Sequence, residues 1–148
     1  MLIKSKKVWS SGQFLPLILE VEDKKITAVY DYDAFDKVDY DFGTNRVLPG
    51  FIDVHTHGAY GYDTNDVNEE GLRNWTKNIV SEGVTSFLPT TITQTEEVLL
   101  KAVANVAKVY EEGYEGAEIL GIRRTLSWCR KTWCSTVKLY PNTECWTI

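Results

Sequence analysis

The chain has 148 residues and is 43% hydrophobic, enough to bury one domain core but shorter than the about 250 residues of a complete (β/α)8 barrel. Its 21 acidic residues outnumber its 16 basic ones, and the net charge of −5 excludes the basic surface that binds nucleic acid or an anionic membrane. No apolar segment approaches the about 20 residues of a membrane span. We therefore expect a cytoplasmic protein whose partner is a small molecule.

The first 48 residues have the short patterns of β-strands. β-branched, leucine and aromatic residues favour strands over residues 3–9, 15–22 and 26–32, and Ser, Gly, Asp and Lys between them favour turns. Residues 1–48 are therefore predicted to form a small sheet that is not itself a catalytic unit.

Residues 49–122 alternate between strand and helix patterns. Strands are predicted at 51–54, directly after Pro49 and Gly50, at 84–89 and at 117–122. Strand, helix, strand, helix, strand at these lengths is typical of a parallel α/β sheet or barrel. Two and a half such units cannot close a barrel.

Two helices are predicted between these strands. Asn68 is a good N-cap for a helix that runs to about Glu82, and Thr93 or Thr95 caps a second helix that ends near Gly113. The apolar positions expected to face the core are Trp75, Ile79 and Val80 in the first helix and Val98, Leu99, Ala102, Val103, Val106 and Val109 in the second.

The two histidines of the chain, His55 and His57, stand two residues apart at the end of the first predicted parallel strand. Residues i and i+2 of a strand project to the same side, so both imidazoles can converge on one point. Imidazole nitrogen is a good ligand for Zn, Fe or Co, whereas a catalytic metal usually needs at least three protein ligands. The pair is predicted to be a metal-binding element, although a His-x-His pair taken alone is more often incidental.

Other polar residues near the strand ends have structural alternatives. Asp53 is expected either to orient a ligand histidine or to be a structural carboxylate. Thr90 and Thr91 could contact substrate, and closing the strand into a turn explains them equally well. A polar loop formed by Asp63, Asn65 and Asp66 is expected to be solvated rather than to bind a ligand.

Three segments resemble known enzymes. Leu48–Gly58 (LPGFIDVHTHG) resembles the first-strand signature of the amidohydrolase superfamily, and the preceding sheet is similar to half of that superfamily's accessory β-sandwich. The segments GAYGYDTN, from Gly58, and EGVTSFLPTTIT, from Glu82, are similar to N-acetylglucosamine-6-phosphate deacetylases. The resemblance covers roughly residues 2–122.

This resemblance implies a fold and a reaction. The fold would be α/β, with residues 1–48 as a partial β-sandwich and residues 49–122 as the first units of a (β/α)8 barrel, truncated. The complete enzyme would use a divalent metal of the Zn, Fe or Co class to hydrolyse N-acetylglucosamine 6-phosphate to glucosamine 6-phosphate and acetate, and would form a homodimer. His55 and His57 match the family's first-strand metal ligands. Because some members lack this pair and keep one metal elsewhere, its presence suggests a second metal position.

The resemblance also identifies what is missing. The family's third strand continues from Gly-Ile into His-Leu-Glu-Gly-Pro-Phe, in which the Glu is a metal ligand, whereas this chain has Arg123 after Ile122. The later histidines, the catalytic Asp and the phosphate-binding residues have no counterpart. We therefore assign no catalytic residue, leave the substrate-binding residues unknown, and expect metal binding to be weak or absent and the chain to be an inactive fragment.

The composition changes after Ile122. The net charge is −9 before this point and +4 after it, and residues 123–148 contain all three cysteines and three of the five tryptophans. One interpretation is a compact C-terminal extension. The preferred one, which rests mainly on the resemblance, is an out-of-frame, non-native tail, and the genetic code permits it: Arg123 to Ser127 can be encoded so that the next frame spells Glu-Gly-Pro-Phe-Leu.

Three alternatives to a deacetylase fragment remain. The chain could be the partly folded, non-catalytic product of a disrupted gene, with exposed strand edges that invite aggregation. It could belong to another amidohydrolase, such as a cyclic-amide hydrolase of the dihydropyrimidinase kind, which also carries His-x-His. It could also be a small metal-binding module that needs no barrel.

Overall fold

The computed structural model of the chain describes residues 1–124 and 135–138 and divides into two compact units, Met1–Pro49 and a second that begins at Gly50. Residues 125–134 and 139–148 lie outside the described residues. The predicted out-of-frame tail falls largely on these segments, so its interpretation stays a prediction.

The first unit is a five-stranded sheet. The strands β1 (Leu2–Ser10), β2 (Gln13–Glu22) and β3 (Lys25–Asp31) form an antiparallel meander, which confirms the three predicted strands. The short strands β4 (Tyr40–Asp41) and β5 (Arg46–Val47) both pair in parallel with β1. Val8, Ile18 and Leu19 form the buried apolar positions of this unit.

The second unit is built on three parallel strands joined by helices. Its elements follow in chain order as β6 (Phe51–Thr56), the hairpin strands β7 (Gly58–Ala59) and β8 (Tyr62–Asp63), α1 (Glu69–Ile79), β9 (Val84–Pro89), α2 (Glu96–Glu112), β10 (Glu118–Ile119), β11 (Gly121–Arg124) and β12 (Ser135–Lys138). In the sheet, β9 lies between β6 and β10, and all pairings are parallel. The predicted alternation of strand and helix is confirmed. β11 pairs antiparallel with β12.

The two helices begin at the predicted residues, but only α1 has a side-chain N-cap. The Asn68 side chain accepts a hydrogen bond from the Gly71 backbone N–H at 3.1 Å, so it is the predicted N-cap of α1. Thr95 takes the N-cap position of α2, but its side chain makes no capping hydrogen bond, and Gly113 follows the last turn. The prediction that Val80 faces the core is wrong, since this residue is 44% exposed. The chain tightens into a 3-10 turn over Val80–Glu82, so Val80 no longer lies on the buried face of α1.

The core of the second unit lies between the sheet and the two helices. The Trp75 ring packs against Phe87 of β9 at a centroid distance of 4.6 Å and against Tyr62 at 5.8 Å. The stripe of α2 is buried as predicted at Leu99, Ala102, Val106 and Val109. It also includes a polar residue, Asn105, whose side chain donates to the Tyr62 hydroxyl at 3.4 Å.

The outer strand β6 is apolar but exposed. Phe51, Ile52 and Val54 are 68%, 60% and 55% exposed. In the described sheet β6 has a neighbour on one side only, which is β9. An apolar strand with one free edge is prone to pair with other chains.

Within residues 1–124 and 135–138, neither helix combines the length and apolar character that crossing a bilayer requires.

Candidate active site at the end of the first parallel strand

The two histidines lie side by side at the carboxyl end of β6. Their ring centroids are 5.1 Å apart, and the ring planes meet at 81°. His55 is exposed and His57 is half-buried. The pairing of β6 with β9 is irregular between Asp53 and Thr56, so the strand bends where the histidines begin. The structure thus brings the two predicted ligands together, while their role as metal ligands stays a prediction.

Hydrogen bonds hold His57 at both its ring and its backbone. Its Nδ1 lies 3.0 Å from the backbone carbonyl oxygen of Thr90, at the end of β9. Its own carbonyl accepts from the backbone N–H of Thr64 and from the Thr64 hydroxyl, each at 2.8 Å. Thr64 and Thr90 are both fully buried. His57 therefore has one well-defined position.

Asp53 contacts the backbone of its neighbour. Its Oδ1 accepts a hydrogen bond from the His55 backbone N–H at 3.0 Å. The carboxylate thus restrains the backbone of β6 where its pairing with β9 is irregular. Of the two expectations for Asp53, this contact favours the structural one.

Thr90 and Thr91 close β9 into the following loop. The Thr90 hydroxyl donates to the Leu88 carbonyl at 3.0 Å, and the Thr91 backbone N–H donates to the Arg123 carbonyl at 3.0 Å. Both threonines are 0% exposed. Full burial favours the turn-closing interpretation over contact with substrate.

The loop residues Asp63, Asn65 and Asp66 are half-buried to exposed and are held by hydrogen bonds to the backbone, so the expectation that this loop is solvated rather than ligating stays a prediction. Asp63 and Asp66 form a reciprocal capping box around the 3-10 turn Thr64–Asp66. The Asn65 side chain exchanges two hydrogen bonds with the backbone of Ile92, in the loop after β9. The capping-box spacing was visible in the sequence, whereas the contact with Ile92 was not.

The residue that follows Ile122 is an arginine, Arg123, whose side chain is positively charged. Arg123 in β11 is bridged in parallel to Thr90, and one guanidinium nitrogen lies 3.4 Å from the Val54 carbonyl oxygen of β6. The guanidinium therefore reaches the bend that contains the histidines. A positive charge there opposes the binding of a second cation.

His55 and His57 could supply two ligands to a metal ion, but two ligands do not make a complete catalytic centre. In the described part of the chain, no three His, Cys, Asp or Glu side chains converge to form a metal site. Two adjacent imidazoles suit Zn, Fe or Co as partial ligands, and a catalytic centre normally needs a third protein ligand.

Two tyrosines of the hairpin after His57 anchor it to the helices. The Tyr60 hydroxyl donates to the Glu82 carboxylate, and this hydrogen bond raises the pKa of Tyr60. Tyr62 is buried against Trp75, and burial raises the pKa of Tyr62 to about 12. The loop beyond the histidines is therefore packed against α1 and α2.

With this geometry established, comparison with known proteins identifies the class. The amidohydrolase family profile matches residues 46–132, more than half of the chain. The chain belongs to the amidohydrolase family, whose members are generally metal-dependent.

Within this family, the chain is similar in sequence to N-acetylglucosamine-6-phosphate deacetylases. The N-acetylglucosamine-6-phosphate deacetylase of Vibrio furnissii is 37% identical over 101 residues, which cover 68% of this chain and 25% of that protein. The deacetylase of Bacillus subtilis (strain 168) is 43% identical over 79 residues, covering 51% of this chain and 20% of the relative. The chain thus spans about a quarter or less of the length of these relatives.

Solved structures of N-acetylglucosamine-6-phosphate deacetylases are also similar to this chain. An N-acetyl-D-glucosamine-6-phosphate deacetylase variant from Mycobacterium smegmatis, in complex with N-acetyl-D-glucosamine-6-phosphate, superposes with a TM-score of 0.73 at 25% identity, covering 84% of this chain and 32% of that one. The Pasteurella multocida deacetylase gives 0.70 at 25% identity, with coverages of 84% and 34%. The predicted α/β fold class and the family resemblance are confirmed. The comparisons do not favour the cyclic-amide hydrolase alternative.

Proposed function

We propose that this chain is the N-terminal portion of an amidohydrolase that deacetylates N-acetylglucosamine 6-phosphate to glucosamine 6-phosphate and acetate. The observation that carries the proposal is the pair His55 and His57, with rings 5.1 Å apart at the end of β6, in a chain whose relatives are named as deacetylases of this substrate. A cytoplasmic location and a homodimer of the complete enzyme belong to the same proposal.

The histidines would hold part of a divalent metal site. A bound metal supplies Lewis-acid polarisation of the acetamide carbonyl and a water of lowered pKa. The residues of this chain contribute geometry: β6 directs both imidazoles to one side, and the bonds from Thr64 and to Thr90 fix His57. Other ligands, the general base and the phosphate-binding groups would have to come from elsewhere in a complete enzyme.

We further propose that the 148-residue chain alone has no measurable turnover and binds metal weakly. The described residues bring together two candidate ligands, and Arg123 places a positive charge near them. Acetate release from N-acetylglucosamine 6-phosphate is expected to stay at background with added Zn, Fe or Co. Hydrolysis by the purified chain that depends on added metal would refute this part of the proposal.

A chimera tests the assignment of function. Residues 2–122 of this chain would replace the matching segment of the Vibrio furnissii deacetylase, and the recombinant relative would serve as the control. If the segment performs the family's function, the chimera deacetylates the substrate at a rate within about an order of magnitude of the control, which corresponds to a difference of about 1.4 kcal/mol in activation free energy. A folded chimera without deacetylase activity would contradict the proposal.

Metal titration tests the histidine pair separately. Zn2+ is titrated into the wild-type chain and into the His55→Ala/His57→Ala double variant by calorimetry. We expect weak binding to the wild type that the double variant loses. Equal binding by both proteins would show that the pair is not the metal-binding element.

A further inference from the structure

The histidine pair shares its end of the sheet with an arginine. Arg123 lies in β11, and its backbone is bridged in parallel to Thr90 at the end of β9. Its side chain crosses towards β6, where one guanidinium nitrogen lies 3.4 Å from the Val54 carbonyl oxygen. That carbonyl belongs to the peptide unit that joins Val54 to His55. The positive charge therefore lies close to the backbone from which the first imidazole projects.

The position of Arg123 is fixed by its backbone, and its charge is permanent. Its carbonyl oxygen accepts a hydrogen bond from the Thr91 backbone N–H at 3.0 Å, and the residue is half-buried. A guanidinium group is not deprotonated in proteins, so this charge does not depend on the pH. Any ion that approaches the histidines meets it.

Asp53 is the acidic residue of β6 beside the pair. Its carboxylate accepts a hydrogen bond from the His55 backbone N–H at 3.0 Å, and neutral imidazoles add no charge of their own. The carboxylate of Asp53 and the guanidinium of Arg123 therefore offset each other. A neutral residue at position 123 would leave the negative charge of Asp53 uncompensated beside the histidines.

The repulsion between a bound metal ion and this guanidinium is large enough to measure. By Coulomb's law, a unit positive charge on the order of 10 Å from a divalent cation weakens its binding about 4-fold at the dielectric constant of water and about 15-fold at half that value. Salt reduces the repulsion, and less so where the groups are partly buried. An effect of this size is added to that of the incomplete ligand set.

We infer that Arg123 sets the cation affinity of the histidine pair: its guanidinium opposes divalent metal ions by charge, and a neutral residue at position 123 raises the affinity of this chain for them. The inference rests on the proposed function for the role of His55 and His57 as metal ligands. It deepens that proposal because it assigns weak binding to a residue that is present as well as to ligands that are missing.

Titration of Co2+ into the full chain, followed by proton NMR of the histidine rings, tests the inference. The chain contains two histidines, so broadening of their ring signals by the paramagnetic ion reports binding at the pair itself. Arg123→Gln is expected to lower the Kd for Co2+ by about 4-fold or more. Arg123→Lys keeps the charge and should retain the wild-type affinity, whereas Arg123→Glu reverses it and should bind more tightly than Arg123→Gln.

Arg124→Gln is the matched control. It removes the same charge from the next residue of β11, and neighbouring residues of a strand point to opposite faces. The Arg124 guanidinium lies 3.8 Å from the Glu96 carboxylate at the start of α2. Attraction of Co2+ to the more negative chain as a whole is therefore the same in both variants, and the ring signals of Arg124→Gln should titrate as in the wild type.

A salt series tests the wild type without any substitution. A non-coordinating salt screens the repulsion from Arg123, so the wild-type affinity for Co2+ should rise with salt concentration. In Arg123→Gln the remaining attraction to Asp53 is screened instead, so its affinity should fall. Circular dichroism checks that each variant folds. If Arg123→Gln does not fold, a wild-type affinity that stays constant or falls with salt still overturns the inference.

The outcomes separate this inference from the proposed function. Equal Co2+ affinities in the wild type, Arg123→Gln and Arg123→Glu overturn the inference alone, and so does a gain in Arg124→Gln as large as that in Arg123→Gln. The His55→Ala/His57→Ala substitutions are then added to Arg123→Gln, and binding is measured by calorimetry. If the gain persists without the histidines, or if no variant binds Co2+, the metal role of the pair fails together with the inference.

Discussion

Raising the pH above 10 should destabilise the second unit, because Tyr62 ionises there in the unfolded chain but keeps its proton when its hydroxyl is buried in the folded chain. Tyr62 is 5% exposed, and its hydroxyl accepts a hydrogen bond from the side-chain amide of Asn105. Burial raises the pKa of Tyr62 to about 12, against a partial lowering by the Asn105 hydrogen bond. An unfolded chain has no such burial, and its tyrosine ionises at a pKa of about 10.

The difference between the folded and unfolded pKa of Tyr62 sets both the direction and the size of the change in unfolding free energy. The folded chain retains the tyrosine proton over a range in which the unfolded chain has already lost it. The stabilisation is therefore fully present below pH 10 and is lost as the pH rises from about 10 to about 12. A shift of about two units at 1.36 kcal/mol each corresponds to about 2 to 3 kcal/mol.

Urea denaturation of the wild type and of Tyr62→Phe, followed at a series of pH values, measures this contribution. Other titrating groups affect both proteins alike, and the loss of the Asn105 partner gives the variant an offset that does not change with pH. The difference in unfolding free energy, wild type minus variant, should fall by about 2 to 3 kcal/mol across the range. A difference independent of pH would refute the reasoning.

Three further substitutions test the packing around the site. Val67→Asn should stabilise the chain by about 1 kcal/mol, because a β-branched residue there adopts the left-handed region at φ 55°. Gly58→Ala should destabilise it by about 1 to 3 kcal/mol, because a Cβ would overlap the Tyr62 carbonyl oxygen. Phe87→Ala should cost about 3 to 5 kcal/mol, because it leaves a cavity against Trp75. Each is measured by urea denaturation.

Each of these predictions has a control and a contradicting result. Val67→Ala retains a Cβ and should stabilise less than Val67→Asn; an asparagine variant no more stable than the wild type would remove the strain argument. A Gly58→Ala protein of wild-type stability would show that the hairpin can adjust. Phe51→Ala, in the exposed strand β6, should cost much less than Phe87→Ala, and equal losses would mean that β9 is not the centre of the core.

The local elements were predictable because their causes are local. The polar N-cap Asn68 and the terminating Gly113 mark helix ends through hydrogen bonding and backbone freedom within a few residues. The spacing of apolar residues predicts α2 because its buried face repeats every three to four residues. Val80 failed this pattern because the helix changes its hydrogen bonding at its last turn, which periodicity cannot detect.

The candidate site was predictable in its chemistry and only partly in its arrangement. His-x-His in a strand predicts two neighbouring imidazoles, and the rings do lie 5.1 Å apart. The sequence pattern did not distinguish His57, which is held at ring and backbone, from His55, which is exposed. That distinction depends on the Thr90 carbonyl, 33 residues away in sequence.

The sequence by itself determined the order of strands and helices, the family resemblance and the two candidate ligands, because side-chain type and short-range spacing carry that information. Only the tertiary structure decided that Asn65 pairs with Ile92 and that Nδ1 of His57 lies against the Thr90 carbonyl. Both result from backbone groups, which every residue possesses and no residue type marks, meeting where β6 and β9 end side by side.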